Sequence, residues 1–467
     1  MESSHSCQAI KVNKILYHLT RTKEYSSFAL KLMKWCIYAE KGLDTEGKKI
    51  LMEEKTMDAK RRGRFVMGIV GFTIFLFTFT LFLVSGAMSA EPSKILKIGS
   101  AMPISGPQAT VGLAWARGYD IFADWINGKG GLTIGKEKFR IQMINEDSKM
   151  NPEAAASSAM KLVNQDKVKF IIGEILDPCG EAIYGVASPA KALHALSFLN
   201  IPGSPADISP NRSLKVRLGI QNNMVHPIMY DYLVKAYPTV KTVVMAEMDI
   251  GLDPVIAHRK SVAEKHGIKT LAVELYPLES FDLYPVQTRV LSYKPDAIDL
   301  GSSPPDHASQ HIKAARELGF KGPIFYHSPI DPAIIFRAVG AEKSNDIFGA
   351  GVDITSQKNI TPMMQEVEKG WKKKYTEPFV SDSLLAFDVT WTLCQGISKA
   401  GSLDAEVVAK SFEALTKTGD LQTVFGPAHM GGLKTFGVNK ALVRPIPLSL
   451  IKNGKIELLG LTLPNLP

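Results

Sequence analysis

Residues 91–467 read as an α/β protein of two doubly wound parallel-sheet lobes preceded by an export signal. Three observations lead there. Short apolar runs alternate with helical stretches, and they do so in two successive series. The segment is long enough to fill two ordinary domains with sizeable cores. Ahead of it, residues 65–90 hold no charged side chain and follow the basic run Lys60, Arg61, Arg62 and Arg64.

An apolar core of about 20 residues can span a bilayer. This one ends in Ser85-Gly86-Ala87-Met88-Ser89-Ala90, so 57–90 contains the basic flank, apolar run and small residues of an export signal. Cleavage near Ala90 is expected; the alternative is an uncleaved N-terminal helix that tethers the protein. Residues 1–56 precede the natural opening Met57-Asp58-Ala59-Lys60 and read as a misassigned start or a short tail. The working compartment is thus expected to be periplasmic or otherwise extracytoplasmic.

In the first series, 95–99 reads as a strand. Residues 112–126 form a helix with Ala116, Tyr119, Phe122, Ala123 and Ile126 on one face. Residues 139–144 form the next strand, 152–165 an Ala-rich helix with Pro152 near its start, and 168–172 a buried strand. The alternation continues through 195–199. The second series begins near Asn222, with strands at 242–246, 297–300 and 323–326 and helices at 254–266, 286–292 and 307–318. Helices return at 361–375, 383–400 and 404–415. A strand pair, 441–451 and 455–459, closes the chain around Asn453-Gly454, the strongest short hairpin signal.

The formal charge of +9 is unevenly placed. Residues 1–64 hold 14 Lys/Arg and 8 Asp/Glu, which leaves +3 for the rest. A nearly balanced exported region without a basic, aromatic-interleaved stripe gives no reason to expect a nucleic-acid partner. Of the four cysteines, Cys179 and Cys394 follow the signal. Two cysteines so far apart form no metal motif, and they read as buried free thiols rather than a bridge.

No catalytic motif stands out. Gly128, Gly130, Gly131 and Gly135 imitate a dinucleotide loop, but they follow a helix and precede a strand. A phosphate loop needs the reverse order, so that phosphate meets a helix N-terminus. There is no Gly-x-Ser-x-Gly elbow, P-loop or His-Glu-x-x-His. His307 and His311 are four apart on one helix, but no third ligand is evident, so they read as a surface pair and no metal or cofactor is expected. Binding remains as the work.

Residues 94–112 (KILKIGSAMPISGPQATVG) resemble the opening of periplasmic solute-binding proteins of the leucine/isoleucine/valine-binding type. The likeness continues through Asp124-Trp125-Ile126-Asn127, Gly130-Gly131, Glu146-Asp147-Ser148, Asn151-Pro152, the run VKFIIG at 168–173, Lys294-Pro295-Asp296, Ala315-Arg316-Glu317-Leu318-Gly319 and Gly432-Leu433-Lys434. The resemblance implies a clamp whose two lobes, joined by three crossings near Ile220, Asp353 and Val443, close on a small molecule and deliver it to an ABC permease in the inner membrane. Lobe 1 would be 91–220 plus 354–442, and lobe 2 would be 221–353 plus 443–467. A sensory ligand-binding protein of the same fold and a secreted α/β enzyme are the rivals. The sensor would need a membrane span and signalling module after the lobes, before the chain stops at Pro467. The enzyme would need a catalytic motif.

Ligands of open α/β sheets sit beyond the carboxyl ends of strands. On the family pattern the first carboxylate contact, a Ser or Thr, falls on Asp177, and the second loop falls on Pro202-Gly203-Ser204. There the N–H groups of Gly203 and Ser204 and the Ser204 hydroxyl offer convergent donors to an anion. Ser302-Ser303 stand where an aromatic is expected, and His327-Ser328 where amino-acid binders carry an acid. A buried unpaired ammonium would be costly, so this pattern favours a small carboxylate over a free amino acid unless Asp177, Asp249 or Asp331 supplies the missing acid.

Overall fold

The run that opens at Lys94 is β1 (Lys94–Met102), whose residues from Ile98 to Met102 are all buried, as suits a strand covered on both faces. The computed structural model describes residues 94–106, 109–197, 207–280, 282–328, 331–354 and 358–466. The predicted export segment and residues 1–56 lie outside them. Among the described residues no helix is long and apolar enough to cross a membrane.

Lobe 1 is built on nine strands in the order β12-β13-β14-β6-β5-β4-β1-β3-β2. Besides β1 they are β2 (Leu132–Ile134), β3 (Glu137–Asp147), β4 (Phe170–Ile172), β5 (Leu193–Leu196), β6 (Lys215–Arg217), β12 (Leu421–Thr423), β13 (Gly426–Gly431) and β14 (Ala441–Val443). Lobe 2 has seven strands in the order β16-β15-β11-β10-β9-β7-β8. These are β7 (Thr242–Met248), β8 (Lys269–Tyr276), β9 (Ala297–Asp299), β10 (Ile324–Tyr326), β11 (Ile347–Gly349), β15 (Ile446–Lys452) and β16 (Lys455–Thr462).

The central pairings are parallel, as is the edge strand β8 with β7; the other edges are not. β2, β13, β12, β15 and β16 pair antiparallel. Three of these pairs, β2–β3, β12–β13 and β15–β16, are joined by two-residue connections, which can join only antiparallel neighbours. Asn453 (φ 52°) and Gly454 (φ 68°) supply the left-handed pair that a tight hairpin needs.

The helices start where short polar side chains or proline permit. They are α1 (Ala109–Gly128), α2 (Pro152–Asn164), α3 (Asp177–Ala187), α4 (Asn222–Ala236), α5 (Asp253–Lys265), α6 (Tyr284–Ser292), α7 (Pro305–Glu317), α8 (Pro332–Val339), α9 (Pro362–Lys374), α10 (Asp382–Ala400), α11 (Ala405–Glu413) and the short α12 (Leu433–Phe436). Asn151 caps α2 through the N–H of Ala154 at 3.0 Å, and Asp331 caps α8 through that of Ala333 at 2.8 Å. In lobe 1, α1 lies against α10. A Cβ on Gly118 would meet the Ser383 carbonyl oxygen at 2.5 Å, so only glycine allows this approach. Trp115, Tyr119 and Phe122 of α1 are wholly buried in the lobe 1 core, each worth about 1.5–3 kcal/mol of burial.

The chain passes between the sheets three times: from β6 into α4, from β11 toward α9, and from β14 to β15. The last passage splits the single strand expected at 441–451. Pro445 lacks an N–H, and the buried Arg444 lies over the Phe425 ring (4.2 Å) and beside Asp388 of α10 at 3.5 Å. Cys179 and Cys394 are buried free thiols. His311 is not on the surface. It is fully buried, bonded to Gln287 of α6 at 2.7 Å and set against the Tyr276 ring at 4.7 Å. An apolar-face pattern cannot distinguish a histidine paired under a neighbouring helix from one in water.

Candidate functional site

The structure gives those of the expected site residues that it describes different surroundings. Gly203 and Ser204 lie outside the described residues. Asp177 is half-buried at the first position of α3. Just before it, Glu174 is the buried acid of the same loop, and sequence reasoning missed it. It accepts from the Ser148 hydroxyl at 2.5 Å and from the Leu176 N–H at 2.8 Å. Burial nevertheless raises its carboxyl above the usual range. Asp249 is exposed, and its N–H donates to the Tyr276 carbonyl at 2.8 Å.

Beneath the Ser302-Ser303 and His327-Ser328 loops lies a buried charge network that the sequence reading did not find. Arg259 of α5, Glu247 of β7 and Asp299 of β9 are all fully buried. Arg259 Nη1 reaches Glu247 Oε2 at 2.9 Å, and its Nε lies 3.4 Å from Asp299 Oδ2. Asp299 also accepts from Tyr230 at 2.8 Å, from the Gly301 N–H at 2.8 Å and from His327 Nε2 at 3.1 Å. Burial opposes its ionisation, but Arg259, His327 and the Gly301 N–H outweigh that and hold its carboxyl at about 2. Burial wins at Glu247, whose carboxyl is raised despite Arg259.

The network fixes both loops. The Ser302 N–H donates to Glu247 Oε2 at 3.2 Å. The Ser303 hydroxyl is used inside the lobe, bonded to the Leu300 carbonyl at 2.6 Å and to the Tyr276 hydroxyl at 2.8 Å. His327 is fully buried and Ser328 nearly so. The His327 ring meets that of His226 edge-on at 4.5 Å, and His226 Nδ1 faces His258 Nδ1 at 2.9 Å. Burial depresses the imidazoles of His226, His258 and His327, so all three are neutral at pH 7.

A second feature lies at the junction of the lobes. Asp331, the cap of α8 in lobe 2, is buried and feels the charges of Asp353, at the second crossing, and Asp382, the first residue of α10 in lobe 1. Burial first, then these two acids, push Asp331 up to about 7. Burial does the same to Asp382. Asp382 Oδ2 and the Ser381 hydroxyl are buried without a hydrogen-bond partner among the described residues, as are both amide atoms of Gln221 at the first crossing. Buried polar atoms left without partners mark places for water or ligand. Of the three acids weighed as replacements, Asp331 is the one the structure buries beside other carboxylates. Among the described residues no group of three or more His, Cys, Asp or Glu could hold a metal ion.

Known proteins share this architecture. The chain is 24% identical over 357 residues to the Leu/Ile/Val-binding protein homolog 7 of Brucella melitensis, covering 71% of this chain and 84% of that one. The branched-chain amino acid transporter substrate binding protein LivJ of Streptococcus pneumoniae, solved with isoleucine, superposes with a TM-score of 0.66 at 20% identity, over 79% of this chain and all of that one. A solute binding protein of an ABC transporter from R. palustris, solved with benzoate, gives 0.64 at 18% identity, over 79% and 97%. At such identities these structures bear on the fold. Residues 95–454 match the family model described as periplasmic binding protein, and the chain belongs to that family.

Proposed function

We propose that this protein is an exported solute-binding protein that captures a small amino-acid-like ligand between its lobes and delivers it to an ABC permease in the inner membrane. It carries out no chemistry of its own. Lobe 1 comprises 91–220 plus 354–442, and lobe 2 comprises 221–353 plus 443–467. The observation that supports the ligand class is the trio Asp331, Asp353 and Asp382. Asp331 is buried within reach of the charges of Asp353 and Asp382, which disfavour its ionisation, and a cationic group beside Asp331 relieves that cost. On this reading the ligand carboxylate is held by Gly203 and Ser204, with Asp177 as a further ligand-binding residue. Its remainder faces the Ser302-Ser303 and His327-Ser328 loops, with Asp249 at the rim.

A second reading is an amine-free carboxylate, in keeping with the benzoate held by one structural relative. Carboxyls near 7 are partly protonated at neutral pH and can donate to an anion. The two readings differ in the sign of their pH dependence. A cationic group binds the ionised acids, so its affinity rises from pH 5.5 to about 7 and then levels. An anion binds the protonated acids, so its affinity falls over the same interval. A thermal-shift screen of amino acids and carboxylates at pH 5.5 and 7.5 tests both, since a ligand stabilises only the state that binds it. No shift with any of them would count against the proposal.

A further inference from the structure

We propose that the amino-terminal edge of the lobe 1 sheet, around the point where the chain enters at Lys94, docks the protein on a bilayer that carries anionic phospholipid. This does not depend on which ligand the cleft holds.

The topology gathers the charge. β3 and β4 flank β1 and run parallel to it, with Lys94 level with Phe139 and Gly99 level with Ile171, so the three strands begin at one edge. The stretches 94–97, 129–138 and 165–169 lie at that edge. Together they hold seven lysines and two acids, Glu137 and Asp166. Their net +5 exceeds the +3 of residues 65–467 as a whole, so the remainder of that length is slightly acidic.

Local pairing does not neutralise the edge. Lys94 takes Glu137 at 2.5 Å, and Lys97 reaches the Asp166 carbonyl oxygen at 3.5 Å. Lys129, Lys136, Lys138, Lys167 and Lys169 are exposed and pair with no acid among the described residues. Ile95, next to Lys94, is 60% exposed, an apolar side chain within the basic rim.

Two observations choose a bilayer over a small anion. The chain arrives here from the export segment, and only Glu91, Pro92 and Ser93 separate Lys94 from Ala90. Three extended residues reach about 10 Å, comparable to the distance over which salt leaves a charge visible. The lysines are also spread over three stretches rather than converging on a pocket, which matches a laterally extended charged surface. The carboxyl ends of the same strands, where ligands of such sheets bind, lie at the opposite edge. Docking therefore leaves the ligand loops in water.

The test uses protein purified from the exported fraction of cells expressing the full chain. Co-sedimentation compares vesicles of equal phosphatidylglycerol and phosphatidylcholine with vesicles of phosphatidylcholine alone. A lysine near an anionic surface is worth about fivefold in partitioning. Anionic vesicles should bind the protein at least about tenfold more strongly than neutral ones in about 50 mM NaCl, and lose it in about 500 mM. Combining Lys136→Gln, Lys138→Gln, Lys167→Gln and Lys169→Gln should weaken binding at least about tenfold. The same charge change at the amino edge of the lobe 2 sheet, Lys241→Gln, Lys269→Gln, Lys294→Gln and Lys321→Gln, should leave it within about twofold. Hydrogen exchange on the wild type locates the contact without any variant, since amides of 94–97, 129–138 and 165–169 should slow on anionic vesicles. Equal binding to neutral vesicles, which reports insertion of a retained export segment, overturns the proposal. So does an equal loss in the lobe 2 variant, or protection confined to other segments.

Discussion

Replacing Arg259 with methionine should destabilise the protein by about 3–5 kcal/mol at pH 7.5, because it strands two buried acids. Arg259, Glu247 and Asp299 are fully buried, so water cannot substitute for the lost cation. The share from Asp299 can be worked out. Its carboxyl lies at about 2 in the folded protein against 3.8 without the fold, equivalent to about 2 kcal/mol. A depressed folded value stabilises above the unfolded value, and the contribution is lost as pH falls through about 2. In Arg259→Met the sign reverses. Burial without a cation lifts Asp299 above its unfolded value and raises Glu247, already high, further; the folded state binds the extra protons, and stability falls as pH rises from about 4. The difference between wild type and variant should thus already be about 2 kcal/mol at pH 4.5 and widen toward pH 7.5. Arg259→Lys should recover only part of it, since a single ammonium cannot serve both acids as a guanidinium does. Urea unfolding at pH 4.5, 6 and 7.5 measures this, with the slope m held as a check on two-state behaviour. A cost below 1 kcal/mol at pH 7.5, or one that does not vary with pH, would refute the reasoning.

Further outcomes are expected. Gly301→Ala should lower the melting temperature, because Gly301 has a φ of +58° and a Cβ there would lie 2.0 Å from Arg259 Nη1; a cost of about 1–3 kcal/mol is anticipated, and an unchanged melt would contradict it. Asp331→Asn should stabilise the ligand-free protein at pH 8 by at least about 1 kcal/mol, since the wild-type carboxyl sits at about 7 against 3.8 unfolded and loses stability as pH rises between those values. The gain should vanish near pH 4, and thermal unfolding at both pH values checks it. Solution scattering should show the protein becoming more compact at saturating ligand, as hinged lobes do; an unchanged radius of gyration would count against closure.

Much of the fold was legible because apolar runs and helical faces repeat locally. The strands at 95–99, 139–144, 242–246 and 297–300 all fall within or against observed ones. β6 was missed because its one apolar residue, Val216, stands between the charged Lys215 and Arg217. The break between β14 and β15 depends on Arg444 being held by Asp388, 56 positions earlier by residue number, and local pattern cannot see that. The same limit hid the charge network: Glu247, Arg259 and Asp299 meet only once two strands and a helix are packed. One signal was available. Asp299 ends an otherwise apolar buried strand, where an acid must find partners. The surface placement of His311 failed for the complementary reason, since its partners Gln287 and Tyr276 come from other elements.

Calorimetry at pH 7.5 on wild type and Asp331→Asn, against the common L-amino acids and benzoate, bears on the ligand class with the fewest intervening assumptions. At least one amino acid should bind the wild type with a Kd of about 1 μM or tighter, near −8 kcal/mol. Asp331→Asn should weaken it by about one to two decades, the worth of a charge-assisted hydrogen bond. Benzoate binding more tightly than every amino acid, with Asp331→Asn making no difference, would contradict the proposed ligand while leaving the family assignment intact.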